Sequence, residues 1–182
     1  LQALPGAGLP AAAAVPPAPV QLAAASPAPG RVNLQGKQGR YTASVQVPVS
    51  AQKAWSLLTN YESMAGVMPD IQQAKVVSRS GRSLELAQTY QAPYTFGQRI
   101  KARLRVQETA PSQMSYELIS GDRIKKLQGT WTITPVKGGV IVKHQIELVP
   151  EIPGFLIGTY YDLTEANLRQ SMQILAKLMM KD

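Results

Sequence analysis

Few residues in this chain could do chemistry, and those few share an apolar setting. His144 is the only histidine. It sits in the alternating stretch Val142, His144, Ile146, Leu148, so its face of the chain is otherwise aliphatic. A lone inward histidine is most often a satisfied core or wall group. Its functional reading is a hydrogen bond to a carbonyl or quinone oxygen of a ligand. The same parity places Gln88 and Tyr90 beside Leu84 and Leu86, Phe96 and Gln98 before Ile100, Tyr116 between Met114 and Leu118, and Trp131 between Gly129 and Ile133. These aromatics read as core packing first. As pocket wall, a phenol would turn its oxygen to a guest while its ring packs.

The chemistry that these residues exclude is as informative. There is no cysteine, so a disulfide framework and a thiolate metal site are both ruled out, and the redox compartment stays open. Zinc would need several converging ligands, whereas the inner faces supply one histidine; no metal and no cofactor are expected. Serines are present without a Gly-x-Ser-x-Gly elbow, and only His144 could serve as base, which argues against hydrolysis.

The elements that must position these groups begin with the last stretch, 153–180. Ile157, Tyr161, Thr164, Leu168, Met172, Leu175 and Met179 form one helical stripe. Tyr160, Leu163, Asn167, Ser171, Ile174 and Leu178 form a second beside it. So broad an apolar arc needs a surface to dock on. Asn167 and Ser171 lie inside that arc, where a solid core would prefer Leu or Ala. Leaving a buried amide unsatisfied costs about 1–3 kcal/mol. Gln88, Gln98, Asn167 and Ser171 together therefore point to a cavity with water or ligand partners. The assignment depends on register, since a slip of one residue would turn the strand residues outward.

Alternation predicts a first strand from Arg40 to Val47, with Ala43, Val45 and Val47 on one side. Ser50 is the expected N-cap of a short helix through Leu58, and a second turn carries Met64 and Met68 before Pro69. Six strands follow at roughly 71–79, 83–91, 94–107, 112–120, 124–134 and 139–149, joined by short turns and hence forming an antiparallel meander. The loop of Met64, Gly66, Val67 and Met68 reads as core; with Pro153, Gly154 and Gly158 it would also flank a pocket mouth.

Residues 1–38 are expected to be an Ala/Pro-rich flexible tether, and residues 39–182 the folded domain. The first thirty positions carry no charge, and their prolines forbid a continuous helix. Ala-rich segments are common next to cleaved export signals, which favours an exported or membrane-associated location over a cytoplasmic one. No apolar run is long enough to span a membrane. The net charge of +8 at pH 7 favours anionic partners. Arg99, Lys101, Arg103 and Arg105 alternate along one strand opposite Ile100, Ala102 and Leu104. The plain reading of that ridge is a solvated face shared with Glu85 and Glu117; the functional one is contact with an anionic membrane. Nucleic acid ranks lower, because no exposed aromatics interleave with the charges.

The order β-α-α-β6-α resembles the helix-grip or START-like fold of the SRPBCC superfamily, and within it the polyketide cyclase/dehydrase and coenzyme-Q-binding branch. The residues that carry the resemblance, over about 40–180, are Val47-Pro48-Val49-Ser50, Ala54-Trp55-Ser56-Leu57-Leu58, Tyr61-Glu62 and Met68-Pro69-Asp70. A second block is Leu127-Gln128-Gly129-Thr130-Trp131, Val149-Pro150 and Ile152-Pro153. The resemblance implies an α+β domain with a curved antiparallel sheet around the terminal helix and a hydrophobic pocket between them. The family includes carriers of lipids, quinones and hormones and a minority of aromatase/cyclases, without a shared catalytic signature. The expected function is non-catalytic binding or transport of a quinone, isoprenoid or lipid by a monomer, with His144, Gln98, Tyr116 and Asn167 fixing its head. One competing reading is a cyclase or dehydrase using His144 or Tyr116 as acid or base. Another is an interaction domain with a filled interior.

Overall fold

The computed structural model of the protein describes residues 28–182. The tether and export expectations therefore fall mostly outside the described residues. Eight strands form one antiparallel sheet in the order β1-β2-β8-β7-β6-β5-β4-β3. They are β1 (Asn33–Lys37), β2 (Arg40–Val47), β3 (Ile71–Ser80), β4 (Ser83–Tyr90), β5 (Ile100–Thr109), β6 (Gln113–Gly121), β7 (Ile124–Val136) and β8 (Gly139–Pro150). Helices α1 (Ala51–Leu58) and α2 (Tyr61–Met64) follow β2, and α3 (Ile157–Met180) closes the chain. This is the curved sheet with a long terminal helix of the helix-grip fold.

Two elements differ from the sequence reading. β1 was not expected, because Asn33–Lys37 is polar and largely exposed and shows no alternation. It forms because Gln38 and Gly39 both take left-handed backbone angles, φ 52° and 87°, and so build the two-residue turn that joins β1 to β2. A Cβ at Gly39 would come 2.2 Å from the Leu148 carbonyl oxygen, so a larger residue would not fit. The first strand thus lies within the segment assigned to the tether.

The second difference is at 94–99, which is not strand. Pro93–Thr95 is a short 3₁₀ turn, and Phe96 and Gly97 have φ of 53° and 75°. Thr95 holds the turn: its Oγ1 accepts from the Ala92 N–H at 3.0 Å and lies 2.8 Å from both the Ala92 and Gln98 carbonyls. Pairing with β4 resumes at Ile100.

Ser50 caps α1 as expected, its Oγ accepting from the Lys53 N–H at 3.1 Å. α3 buries most of the first stripe, half-buries most of the second, and leaves Asp162, Arg169, Gln173 and Lys177 exposed. Its C-terminal half seals onto a solid core, in which Leu175, Ala176 and Met179 pack with Val45, Val47, Val142 and α1. A second core, with Leu84, Leu104, Val106, Met114 and Leu148, lines the sheet farther along. Among the described residues no helix is long and apolar enough to cross a membrane.

Candidate ligand-binding cavity

Between the sheet and the N-terminal half of α3 lies a cavity of about 330 Å³, at the small end of the range of about 300–1,000 Å³ usual for small-molecule sites. Its wall is mostly aliphatic and aromatic. Leu86, Leu104, Val106, Met114, Leu168 and Met172 all face it and are buried. The exposed members of its lining are Phe96, Gln98, Arg123 and Pro153, so the cavity reaches the surface between the 93–98 turn and the approach to α3. Met64 and Met68 are buried wall residues instead.

The polar groups fall into two clusters. In the first, His144 on β8 is 7% exposed, and its Nε2 lies 2.8 Å from the Tyr116 hydroxyl on β6. Trp131, directly opposite His144 on β7, stacks on the imidazole with ring centroids 3.9 Å apart and planes 6° from parallel. Tyr116 and His144 are separated by a whole strand. They meet because the residue between them is Gly129, across which the Tyr116 ring lies; a Cβ there would come 2.5 Å from the phenol oxygen. Burial lowers the His144 pKa to about 3, so the ring is neutral at physiological pH. Burial likewise raises the Tyr116 phenol well above its ordinary value, with the charge of Asp70 among the further causes.

One hydrogen remains free at this pair whichever tautomer is present. The phenol and the neutral imidazole carry two polar hydrogens, and one is used between them. If Tyr116 donates to Nε2, Nδ1–H is left over; if Nε2–H donates, the phenol hydrogen is left over. Either way the pair offers a donor, which suits a carbonyl oxygen.

The second cluster centres on Asp70, at the end of the loop after α2. Its Oδ2 accepts from the Tyr94 hydroxyl at 3.0 Å and from Asn167 Nδ2 on α3 at 3.2 Å. Burial raises the Asp70 pKa, and the hydrogen bonds from Tyr94, its own backbone N–H and Asn167 oppose the shift without cancelling it. Among the described residues no Lys or Arg pairs with Asp70; the basic groups in ion pairs are Arg40, Arg79, Arg103, Arg105 and Lys126. Tyr160 packs edge-on against Tyr94, centroids 5.9 Å apart, and burial pushes its phenol up to about 12.

All ten residues read from the sequence as ligand-binding line this cavity. Tyr116, Trp131 and His144 converge as one group, and Tyr90 donates to Gln88 Oε1 on the same face of β4. Phe96 and Gln98 stand at the opening rather than on an inner strand face. Ser171 lies one helical turn from Asn167, and its buried hydroxyl has no hydrogen-bond partner. Asp70 and Tyr94 were missed. The available signals were a carboxylate set between Pro69 and the apolar Ile71, and the turn-like run Pro93-Tyr94-Thr95-Phe96-Gly97. The basic ridge is on the outer face, where Arg103 pairs with Glu85 at 2.6 Å and Arg105 with Glu117 at 2.9 Å. Among the described residues Arg99 and Lys101 have no carboxylate side-chain partner, and no three His, Asp or Glu side chains gather as a metal site would require.

A sheet gripping a helix around an apolar cavity defines a START-like ligand-binding domain. The chain belongs to the polyketide cyclase/dehydrase and lipid transport family, whose model matches residues 47–173. Solved structures share the fold. A START superfamily protein from Mycobacterium smegmatis is 20% identical with a TM-score of 0.60, over 76% of this chain and 97% of that one. The Zhui aromatase/cyclase from Streptomyces sp. R1128 is 11% identical with a TM-score of 0.63, over 81% and 92%. A STAR-related lipid transfer protein fragment from Xanthomonas axonopodis is 15% identical with a TM-score of 0.63, over 82% and 92%. No curated protein sequence matches the chain significantly.

Proposed function

We propose that this protein is a non-catalytic binder or carrier of a hydrophobic small molecule bearing a carbonyl or quinone oxygen. The observation that carries the reading is the neutral His144–Tyr116 pair, which keeps one free donor hydrogen in a cavity whose wall is mostly aliphatic and aromatic. Removing apolar ligand surface from water contributes roughly 25 cal/mol per Å², which holds the body of the guest. The pair fixes its head, and Trp131 keeps the imidazole in place. Against the enzyme reading, the pKa of about 3 makes His144 a poor proton acceptor near neutrality. Against the filled-interior reading stands the cavity volume.

Exchange of the guest would occur at the opening. Phe96 is 41% and Phe155 85% exposed on its two sides; Arg99 and Lys101 follow Phe96 closely in the chain, and the exposed Arg123 lines the cavity. Exposed aromatics next to basic residues suit an anionic membrane surface as the source or destination.

The reading is tested by native mass spectrometry of the purified protein after incubation with short-chain quinones, followed by titration of His144→Gln and Tyr116→Phe. One-to-one uptake, weakened about tenfold in each variant, is expected. A protein that takes up no quinone, isoprenoid or lipid overturns it. A hundredfold loss of a measured cyclase or dehydrase turnover in His144→Gln would favour the enzyme instead.

A further inference from the structure

The proposed carbonyl site leaves the Asp70 cluster unexplained. Both side-chain hydrogen bonds to the carboxyl group fall on Oδ2, and its other partner is its own backbone N–H, so no second side chain reaches Oδ1. Asn167 uses its amide N–H on Asp70, and its own Oδ1 has no hydrogen-bond partner among the described residues. One turn along α3, Ser171 carries a buried hydroxyl that nothing satisfies. These residues share the cavity wall with Leu168 and Met172. Among the described residues the Ser171 hydroxyl is the one fully buried side-chain group without a partner. Such groups are normally satisfied, and among the described residues no Lys or Arg pairs with Asp70.

We infer that Asp70, with Tyr94 and Asn167 holding it, is a second polar pole of the cavity that receives a hydroxyl group of the guest. The occupant is then a hydroxylated apolar molecule, neither a plain hydrocarbon nor a carboxylate. A hydroxyl fits because it donates to an ionised Oδ1 and can equally accept from a protonated one. An ether oxygen can only accept, and a carboxylate meets a like charge without a cation to offset it. The inference rests on the cavity reading above and adds the chemistry of the guest's other end.

Four rigid probes separate the possibilities: 2-naphthol, 2-methoxynaphthalene, naphthalene and 2-naphthoate, titrated by calorimetry at mildly alkaline pH. Wild-type protein should bind 2-naphthol about tenfold more tightly than the ether or the hydrocarbon, the size of one hydrogen bond to a charged acceptor, and 2-naphthoate most weakly. The preference for 2-naphthol over the ether should vanish in Asp70→Leu and persist in Tyr116→Phe, which removes the other pole. Should Asp70→Leu fail to fold, the near-isosteric Asp70→Asn decides: it should raise the affinity for 2-naphthoate relative to 2-naphthol about tenfold. Binding of all four probes without preference, or a preference indifferent to both Asp70 variants, overturns the second pole and leaves the cavity reading standing. Binding of none overturns both.

Discussion

The phenol of Tyr116 rests on the bare backbone of Gly129, its cross-strand neighbour, and through that contact reaches His144 one strand farther on. A hydrogen bond between alternate strands of a sheet needs the strand between them to lie low. Gly129 supplies that, since an added Cβ would come 2.6 Å from Tyr116 Cζ and 2.5 Å from the Gln145 carbonyl.

Gly129→Ala should therefore act on stability and on the site together. Overpacking of this kind costs about 1–3 kcal/mol, readable by urea unfolding. The displaced phenol should also lose His144, so ligand affinity should fall as far as in Tyr116→Phe. An alanine variant with wild-type stability and affinity would show that the two strands can separate without consequence.

His144 makes stability depend on pH. Its pKa is about 3 in the folded protein and 6.5 in an ordinary environment. Between those values the unfolded chain binds the extra proton, so stability is complete above about 6.5 and falls as pH drops toward 3. The slope approaches 1.4 kcal/mol per pH unit. Between pH 7 and pH 5 the wild type should lose about 2 kcal/mol more than His144→Gln, in which no group titrates at this position. Parallel losses in the two proteins would mean that the imidazole is charged in the fold.

Ser171→Ala should raise the stability of the empty protein. The hydroxyl is buried without a partner, and removing an unsatisfied buried group stabilises by about 1 kcal/mol or more. Thermal unfolding without ligand should show the increase. A decrease would reveal a water or another partner on that oxygen.

The outer face should contribute unequally to vesicle binding. Arg103 and Arg105 are occupied by Glu85 and Glu117, whereas among the described residues Arg99 and Lys101, which follow the 93–98 turn, have no such partners. Each basic residue near an anionic bilayer contributes about 1 kcal/mol. Arg99→Ser with Lys101→Ser should therefore weaken sedimentation with phosphatidylserine vesicles about thirtyfold, and Arg103→Ser with Arg105→Ser much less. Equal losses, or no binding at low salt, would remove the membrane from the account.

β2, β4, β5, β8 and α3 were readable because each buries one face, and that leaves a period in the sequence; Val142-His144-Ile146-Leu148 and the two helical stripes are examples. What escaped has no period. β1 is a polar edge strand held by the Gln38-Gly39 turn, and the 93–98 turn carries an apolar Phe96 at a left-handed position where a strand residue was expected. The site was legible where it stands on strands, as with Tyr116, Trp131 and His144. Asp70 and Tyr94 sit on connecting segments, whose side-chain directions no alternation fixes. Their meeting with Asn167 depends on how loops from distant parts of the chain are packed.

The pairing of β2 with β8 has a consequence for how the molecule comes into being. Strand Arg40–Val47 can pair at once with β1, but its inner neighbour, Val140–Glu147, is made about a hundred residues later, and α3 later still. During synthesis the concave wall must wait, its greasy lining uncovered, until α3 has left the ribosome. Such distant pairing slows folding relative to helical proteins of similar size. A guest, or a chaperone, that shields the wall in that interval would help the newborn chain before it ever serves the mature one.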